Sequence, residues 1–253
     1  MSVRADPLVI GAVGGSGTRV FSRIARHAGV FMGEHVDAQE DSVPLSRFYG
    51  EFASEYLAAD GRLDPPRTDE LSRRLHEGVG EHLDGLVAPD QPWGVKNPRS
   101  LLMLPFWHQR FRHMRFLHVV RSGLDMAYSA TDNQIRRHGE ALLGAGMSLP
   151  APERAMLWWS RVNILAADYG EAELGPAYLR VRLEDLCQRP QETVGSLFAF
   201  IGSRRGTEEA VGEVATPASL GRWRERPADE IARLISVGGE ALRRFGYRSP
   251  GPG

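Results

Sequence analysis

Cysteine is almost absent from this sequence. Cys187 is the only one among 253 residues, so the chain forms no internal disulfide, and without a CxxC pair or a Cys/His cluster no zinc site is expected. A reduced compartment, the cytoplasm, is therefore the expected location. Long apolar runs are also lacking: none approaches the roughly 20 residues that a bilayer-spanning helix needs, so no membrane span is expected.

Excess charge of either sign is lacking too. Lys and Arg total 31 against 32 Asp and Glu, and the formal net charge of -1 gives no overall attraction to nucleic acid. Any site for an anion must therefore be local. The 42% hydrophobic content is ordinary for a soluble globular protein, and the length is compatible with a single α/β domain over residues 1–253.

A glycine-rich turn, Gly-Gly-Ser-Gly-Thr-Arg at residues 14–19, is the strongest local pattern. The apolar run before it, residues 8–13, is typical of a strand buried on both faces, and Val20, Phe21 and Ile24 follow at helical spacing. Glycines let backbone N–H groups approach a ligand, and the helix adds the positive end of its dipole. The pattern predicts a cradle for a phosphate or sulfate group. The residues expected to form it are Gly14, Gly15, Ser16, Gly17, Thr18 and Arg19.

Three later runs, residues 93–96, 115–120 and 178–183, predict further strands that alternate with helices. This alternation predicts an α/β fold with a mainly parallel central sheet and helices on both faces. Ligands of such sheets bind beyond the carboxyl ends of the strands, so the loop, Lys96 and Arg121 are expected to converge on one edge. Residues 138–151 are rich in Gly and Pro and predict a loop.

Two common phosphate-binding loops do not fit this one. A Walker A loop needs a lysine before its Ser or Thr, and alignment on Thr18 places Gly17 there, which disfavours a P-loop kinase. A Rossmann loop needs a third glycine that does not follow Gly17 at the required spacing. No metal-ligand spacing accompanies the loop, so no metal is expected.

The loop and four later segments resemble motifs of the sulfotransferase family. Residues 16–18 resemble its 5′-phosphosulfate loop, and residues 119–129, Val-Val-Arg-Ser-Gly-Leu-Asp-Met-Ala-Tyr-Ser, resemble its 3′-phosphate motif. Residues 96–98, 182–186 and 221–224 are similar to further family segments. The resemblance therefore extends along nearly the whole chain, from residue 8 to residue 247.

This resemblance implies a P-loop nucleoside-triphosphate-hydrolase-like sulfotransferase fold. It implies transfer of a sulfuryl group from 3′-phosphoadenosine-5′-phosphosulfate (PAPS) to a hydroxyl of a small molecule or glycan, with 3′-phosphoadenosine-5′-phosphate (PAP) as the product. The loop would hold the 5′ end of the donor, and Arg121 and Ser129 its 3′-phosphate. Arg222 and Trp223 would also belong to the nucleotide site.

The chain departs from the family at Gly15, where members usually carry a Lys or Arg that binds the bridging oxygen. Two cations are candidates to replace it: Lys96 for the transition state, and Arg19 in support. The loss of one preorganised donor commonly costs about 10²–10³ in rate. A catalytically weakened nucleotide-binding protein of the same fold is therefore the alternative interpretation.

The general base is expected just after the first helix. Residues 33–35, Gly-Glu-His, are similar to the Gly-Glu-Glu that follows the loop helix in tyrosylprotein sulfotransferases, where a glutamate is the base. Either Glu34 or His35 is therefore expected to accept the proton of the acceptor hydroxyl, since both residue types can do so once their pKa is tuned.

Overall fold

The computed structural model describes residues 6–88, 90–203 and 206–247. Its strands form one parallel sheet in the order β2-β1-β3-β4, so β1 lies between two neighbours. Ile10 of β1 pairs with Lys96 on one side and Leu117 on the other. The predicted parallel sheet is confirmed. The strands are β1 (Leu8–Ala12), β2 (Gly94–Lys96), β3 (Arg115–Val120) and β4 (Tyr178–Arg182).

Helices connect these strands and cover both faces of the sheet. A 3-10 segment, Pro98–Met103, leads from β2 into the next helix. In chain order the helices are α1 (Thr18–His27), α2 (Val43–Ala58), α3 (Pro65–His82), α4 (Leu104–Arg110), α5 (Gly123–Met126), α6 (Asn133–Leu143), α7 (Ala151–Tyr169), α8 (Leu183–Gln188), α9 (Pro190–Ile201), α10 (Thr207–Gly212) and α11 (Ala228–Arg244).

The side chains of β1 alternate between two hydrophobic cores. Val9 belongs to the core formed with α2 to α7 and α11, whereas Ile10 and Ala12 belong to the core formed with α1, α8, α9 and α10. Every residue of β1 is buried, which is why the strand reads as an uninterrupted apolar run. Helices on both faces therefore hold β1, and the loop that follows it, at the centre of the fold.

One local prediction differs from the structure. Residues 138–143 belong to α6, so the loop predicted there is wrong for that part, and a 3-10 segment (Gly144–Ser148) follows.

His118 of β3 is a fully buried core residue. Its Nε2 lies 2.8 Å from Asn163 Oδ1, so Nε2–H donates, and its Nδ1 then accepts from the Tyr178 hydroxyl at 2.7 Å. Burial lowers the pKa of His118 to about 4, which leaves the ring neutral at neutral pH. The ring ties β3 to β4 and to α7.

Close packing fixes the chain just beyond β3. The indole Nε1 of Trp159 donates to Arg121 O at 2.9 Å, and a Cβ on Gly123 would lie 2.6 Å from the same indole ring. Only glycine lets α5 approach Trp159 this closely. The backbone that presents Arg121 is therefore set by a contact in the core.

We expect Gly123→Ala to lower the free energy of unfolding by about 1–3 kcal/mol, because the added methyl overpacks the Trp159 contact. Gly195→Ala is the matched control, since a Cβ at that position on α9 meets nothing within 4 Å. That control should be neutral or stabilising. Urea unfolding of both variants measures the difference, and equal stabilities would contradict the packing argument.

Candidate functional site

Two left-handed glycines shape the loop between β1 and α1. Gly15 has φ 93° and Gly17 φ 80°, a region that L side chains rarely adopt. Ser16 N donates to Val13 O at 3.2 Å, which closes the turn. Gly17 caps α1 without a side-chain hydrogen bond, and the first turn of α1 carries no acidic residue. The first N–H groups of α1 are therefore available to an anion.

Two buried polar atoms near this loop have no hydrogen-bond partner within residues 6–88, 90–203 and 206–247. They are Ser16 Oγ and Arg121 Nε. Buried polar groups in folded proteins are nearly always paired, because an unpaired group loses its hydration without compensation. A hydroxyl and a guanidinium N–H in this state fit a ligand with phosphate or sulfate oxygens.

Arg121 places its guanidinium between the loop and residues 219–223. The side chain is 4% exposed; Nη1 donates to Gly15 O at 3.5 Å, and Nη2 donates to Ser219 Oγ at 3.0 Å and lies 3.4 Å from Asp125 Oδ2. These contacts hold the positive charge directly beside the glycine-rich turn.

Asp125 organises the other side of this cluster, and the sequence reasoning missed it. Its carboxylate accepts hydrogen bonds from Gly221 N at 2.7 Å and from Trp223 N at 3.3 Å. It is itself buried, so the ion pair with Arg121 is shielded from solvent. Its signals in the sequence are its place in the 119–129 segment and its spacing of four residues from Arg121.

Arg222 joins the same cluster. Its Nη1 donates to Tyr128 O at 3.0 Å and its Nε to Ser219 O at 3.1 Å. Burial and the nearby charge of Arg121 lower the pKa of Arg222. The structure thus brings together the loop and the later residues that the resemblance assigned to nucleotide binding.

Ser129 lies against Gly15. A Cβ on Gly15 would lie 3.0 Å from Ser129 Oγ and 3.2 Å from Met126 Cε, and Ser129 Oγ accepts from Thr131 N at 3.2 Å. A lysine or arginine at position 15 would therefore need both a disfavoured φ and a shift of these neighbours. The conformation of this loop thus disfavours the Lys or Arg that family members usually carry at this position.

Lys96 and Arg19 approach the loop from the other side, and residues 37–41 hold both. Lys96 is the only lysine of the chain and is 3% exposed. Its Nζ donates to Asp41 Oδ1 at 2.5 Å and to Gln39 O at 2.6 Å, while Arg19 donates to the Gln39 side chain. Burial raises the pKa of Asp41, and the charge of Lys96 opposes that rise.

A cavity of about 950 Å³ lies between these groups. The loop forms one wall, and Gln134 at the start of α6 is bound to it: Gly14 N donates to Gln134 Oε1 at 3.0 Å. Cations outnumber anions on the lining, which suits a negatively charged ligand. The charged lining residues are Arg19, Lys96, Arg99, Arg136, Arg137, Asp37 and Asp41.

Glu34 and His35 are exposed and do not line this cavity. The carboxyl of Glu34 faces the chain after α3, where a Cβ on Gly85 would lie 2.8 Å from Glu34 Cδ. Neither residue therefore belongs to the cavity wall that Lys96 lines. The carboxylates on the cavity wall are Asp37 and Asp41.

Metal-ligand clusters and long apolar helices are both missing from the described part of the chain. Nowhere in it do three or more His, Cys, Asp or Glu side chains gather in a way that could hold a metal ion. Its helices are all too short or too polar to span a membrane.

We expect Gly15→Ala to lower the free energy of unfolding by about 1–2 kcal/mol, because alanine is strained at this positive φ. Gly14→Ala is the matched control: its φ is not in the left-handed region, and its Cβ would lie no closer than 3.6 Å to a neighbour. Thermal unfolding compares the two. A Gly15→Ala variant as stable as Gly14→Ala would show that the loop conformation is not fixed as described.

No protein family model and no curated protein matches the chain, but several solved structures match it. The sulfotransferase domain of the Synechococcus PCC 7002 olefin synthase has a TM-score of 0.63 and 15% identity over 99% of this chain and 98% of that one. The sulfotransferase domain from the curacin biosynthetic pathway has a TM-score of 0.59 and 12% identity over 99% and 100%.

Retinol dehydratase in complex with retinol and PAP also matches, with a TM-score of 0.52 and 13% identity over 99% of this chain and 85% of that one. At such identities the likeness concerns the fold. The chain has the α/β fold of the sulfotransferases, as its motifs predicted.

Proposed function

We propose that this protein is a PAPS-dependent sulfotransferase that moves a sulfuryl group to a hydroxyl of a small molecule or glycan by in-line displacement. The observation that carries the proposal is the contact of the Arg121 guanidinium with Gly15 O. The next residue, Ser16, has a buried hydroxyl with no hydrogen-bond partner among the described residues. A structural neighbour, retinol dehydratase, is known in complex with PAP, which supports the same donor here.

The donor would lie across the loop and the Arg121 cluster. Backbone N–H groups at the start of α1, with Ser16 and Thr18, would bind its 5′ end, and Arg121 and Ser129 its 3′-phosphate. Asp125 would position Arg121, while Arg222 and Trp223 complete the nucleotide site. When bound, the donor supplies an activated sulfuryl group on a phosphate leaving group.

Lys96 would stabilise the charge that develops on the transferring group, with Arg19 in support. An ammonium carries three N–H donors, and Gln39 O and Asp41 Oδ1 take two of those of Lys96. The third is left for the cavity. Held by Asp41 and Gln39, the ammonium is preorganised rather than mobile, which is the condition for effective electrostatic catalysis.

The base that accepts the acceptor's proton is proposed to be Asp41. The sequence predicts Glu34 or His35 for this role, whereas Asp41 is the carboxylate that both lines the cavity and contacts Lys96. Burial raises its pKa, which makes it a stronger proton acceptor than an exposed aspartate. The charge of Lys96 opposes that rise and favours the ionised carboxylate, which is the form that accepts a proton.

We expect Lys96→Met to slow transfer of radiolabelled sulfate by about 10²–10³ while PAP affinity stays within about twofold. The change keeps the length of the side chain and removes its charge. Arg47→Met, an exposed ion-pair residue on α2, is the control. Thermal unfolding checks that both variants fold, and unchanged turnover in Lys96→Met would remove Lys96 from the mechanism.

Asp41→Asn is expected to lower the rate of transfer by about 10²–10⁴, the usual contribution of a general base. Glu34→Gln and His35→Gln should have little effect. The wild-type rate should fall on acidification at a pH above the ordinary pKa of an aspartate, because Asp41 must be ionised and its pKa is raised. A large loss in Glu34→Gln with normal activity in Asp41→Asn would assign the base to Glu34.

The alternative function is a nucleotide-binding protein of the same fold with weakened catalysis. Gly15 favours it, because the family cation is missing there and a side chain would be strained at this positive φ. Transfer of radiolabelled sulfate to any member of a broad panel of hydroxyl acceptors would exclude it. Binding of PAP without transfer to any acceptor would support it, and preferential binding of ATP with magnesium would instead indicate a kinase.

A further inference from the structure

Two arginines on the cavity wall, Arg99 and Arg137, form no ion pair with a carboxylate in the described part of the chain. Arg99 follows β2 by three residues, and Arg137 lies on α6. Across residues 6–88, 90–203 and 206–247, neither guanidinium donates a hydrogen bond or forms an ion pair; Arg99 bonds to Asn97 through its backbone N, and Arg137 to Ser54 through its backbone O. The neighbouring Arg136 is different, since it pairs with Asp132 at 2.9 Å.

The two free guanidinium groups converge on one point of α2. A Cβ on Gly50 would lie 3.4 Å from Arg137 Nη1 and 4.0 Å from Arg99 Nη1. Burial lowers the pKa of Arg99; the nearby Tyr49 and Asp41 oppose that shift, and the charge of Arg137 adds to it. Like charges held together raise the free energy of the empty site, and an anion between them would relieve that repulsion.

The Arg99 side chain lies over a buried ring. The Arg99 guanidinium lies 5.9 Å from the centroid of the Tyr49 ring. Tyr49 is buried, and its hydroxyl accepts from Trp107 Nε1 at 2.7 Å and bonds to Ser100 Oγ at 2.7 Å. This network fixes the surface beneath Arg99, as expected of a preorganised binding site.

Contacts along α6 separate this pair from the donor loop. At its start, Gln134 bonds to Gly14 of the loop; one turn later, Arg137 faces Gly50, and Ser54 bonds to the Arg137 carbonyl at 2.9 Å. Neither arginine bonds to a described residue of the loop. Arg99 is three residues from Lys96, so the pair lies within reach of a molecule whose hydroxyl is at Lys96.

We propose that Arg99 and Arg137 bind an anionic group of the acceptor, a carboxylate, phosphate or sulfate, and so select acidic hydroxyl compounds over neutral ones. Guanidinium groups match the oxygens of such anions with paired hydrogen bonds. This inference rests on the proposed function, because it takes the cavity as the site of a hydroxyl acceptor.

Calorimetric titration of the protein saturated with PAP tests the inference without requiring transfer. The probes are inorganic phosphate, and para-hydroxybenzoate compared with para-hydroxybenzamide. The variants are the double substitution Arg99→Gln with Arg137→Gln and, as a control from the same helix and cavity, Arg136→Gln. PAP binding is measured first for each protein, so a failure of the proposed donor site is seen separately.

In the wild type we expect phosphate to bind and the acid to bind at least about tenfold more tightly than the amide. The double variant should bind phosphate about tenfold more weakly and lose the preference for the acid, with unchanged PAP affinity. The affinities of Arg136→Gln should stay within about twofold of the wild type.

Equal binding of acid and amide to the wild type, or a double variant that retains the preference, would overturn the inference. A parallel loss of PAP affinity would assign the arginines to the donor, and an equal loss in Arg136→Gln would indicate a general charge effect; both overturn it.

Discussion

Parallel pairing of β1 with both β2 and β3 is the constraint on which the site depends. It brings the ends of three strands to one edge: the glycine-rich loop after Ala12, Lys96 at the end of β2 and Arg121 after β3. A register shift of one residue would turn each side chain to the opposite face, so the two buried cores that fix the register also fix the chemistry. The binding groups come from distant parts of the sequence, and the sheet brings them to one edge.

The positive charges of Lys96 and Arg121 at this edge of the sheet are paired with carboxylates of the protein rather than left to the solvent. Arg121 is paired with Asp125, and Lys96 with Asp41, so two cations are held in position by buried or half-buried carboxylates. Such pairs lose hydration on folding, and their value here lies in orientation more than in stability. Gly15 supplies no cation to the turn, and Lys96 and Arg19 bring positive charge to the cavity instead. Arg99 and Arg137 form no such ion pair with any residue that the structure describes.

Most of the fold was predictable because its signals are local. Buried parallel strands are continuous apolar runs, and a glycine turn between a strand and a helix marks the loop. Lys96 and Arg121 could then be assigned to the same edge because each lies at the end of a predicted strand. The partners of these cations were not predictable, since Asp41 reaches Lys96 only through a long connection whose turn is held by Asp37. The same connection sets Glu34 away from the cavity. A three-residue motif carries no information about such a path.

The central claim is that the loop and Arg121 together hold a nucleotide with phosphates at both its 5′ and 3′ ends. Calorimetric titration of the wild type and Arg121→Gln with PAP and with AMP, which lacks the 3′-phosphate, tests it most directly. The account predicts that PAP binds the wild type at least about tenfold more tightly than AMP, and that Arg121→Gln removes this difference with little change for AMP. Equal affinity of the wild type for the two nucleotides would contradict it.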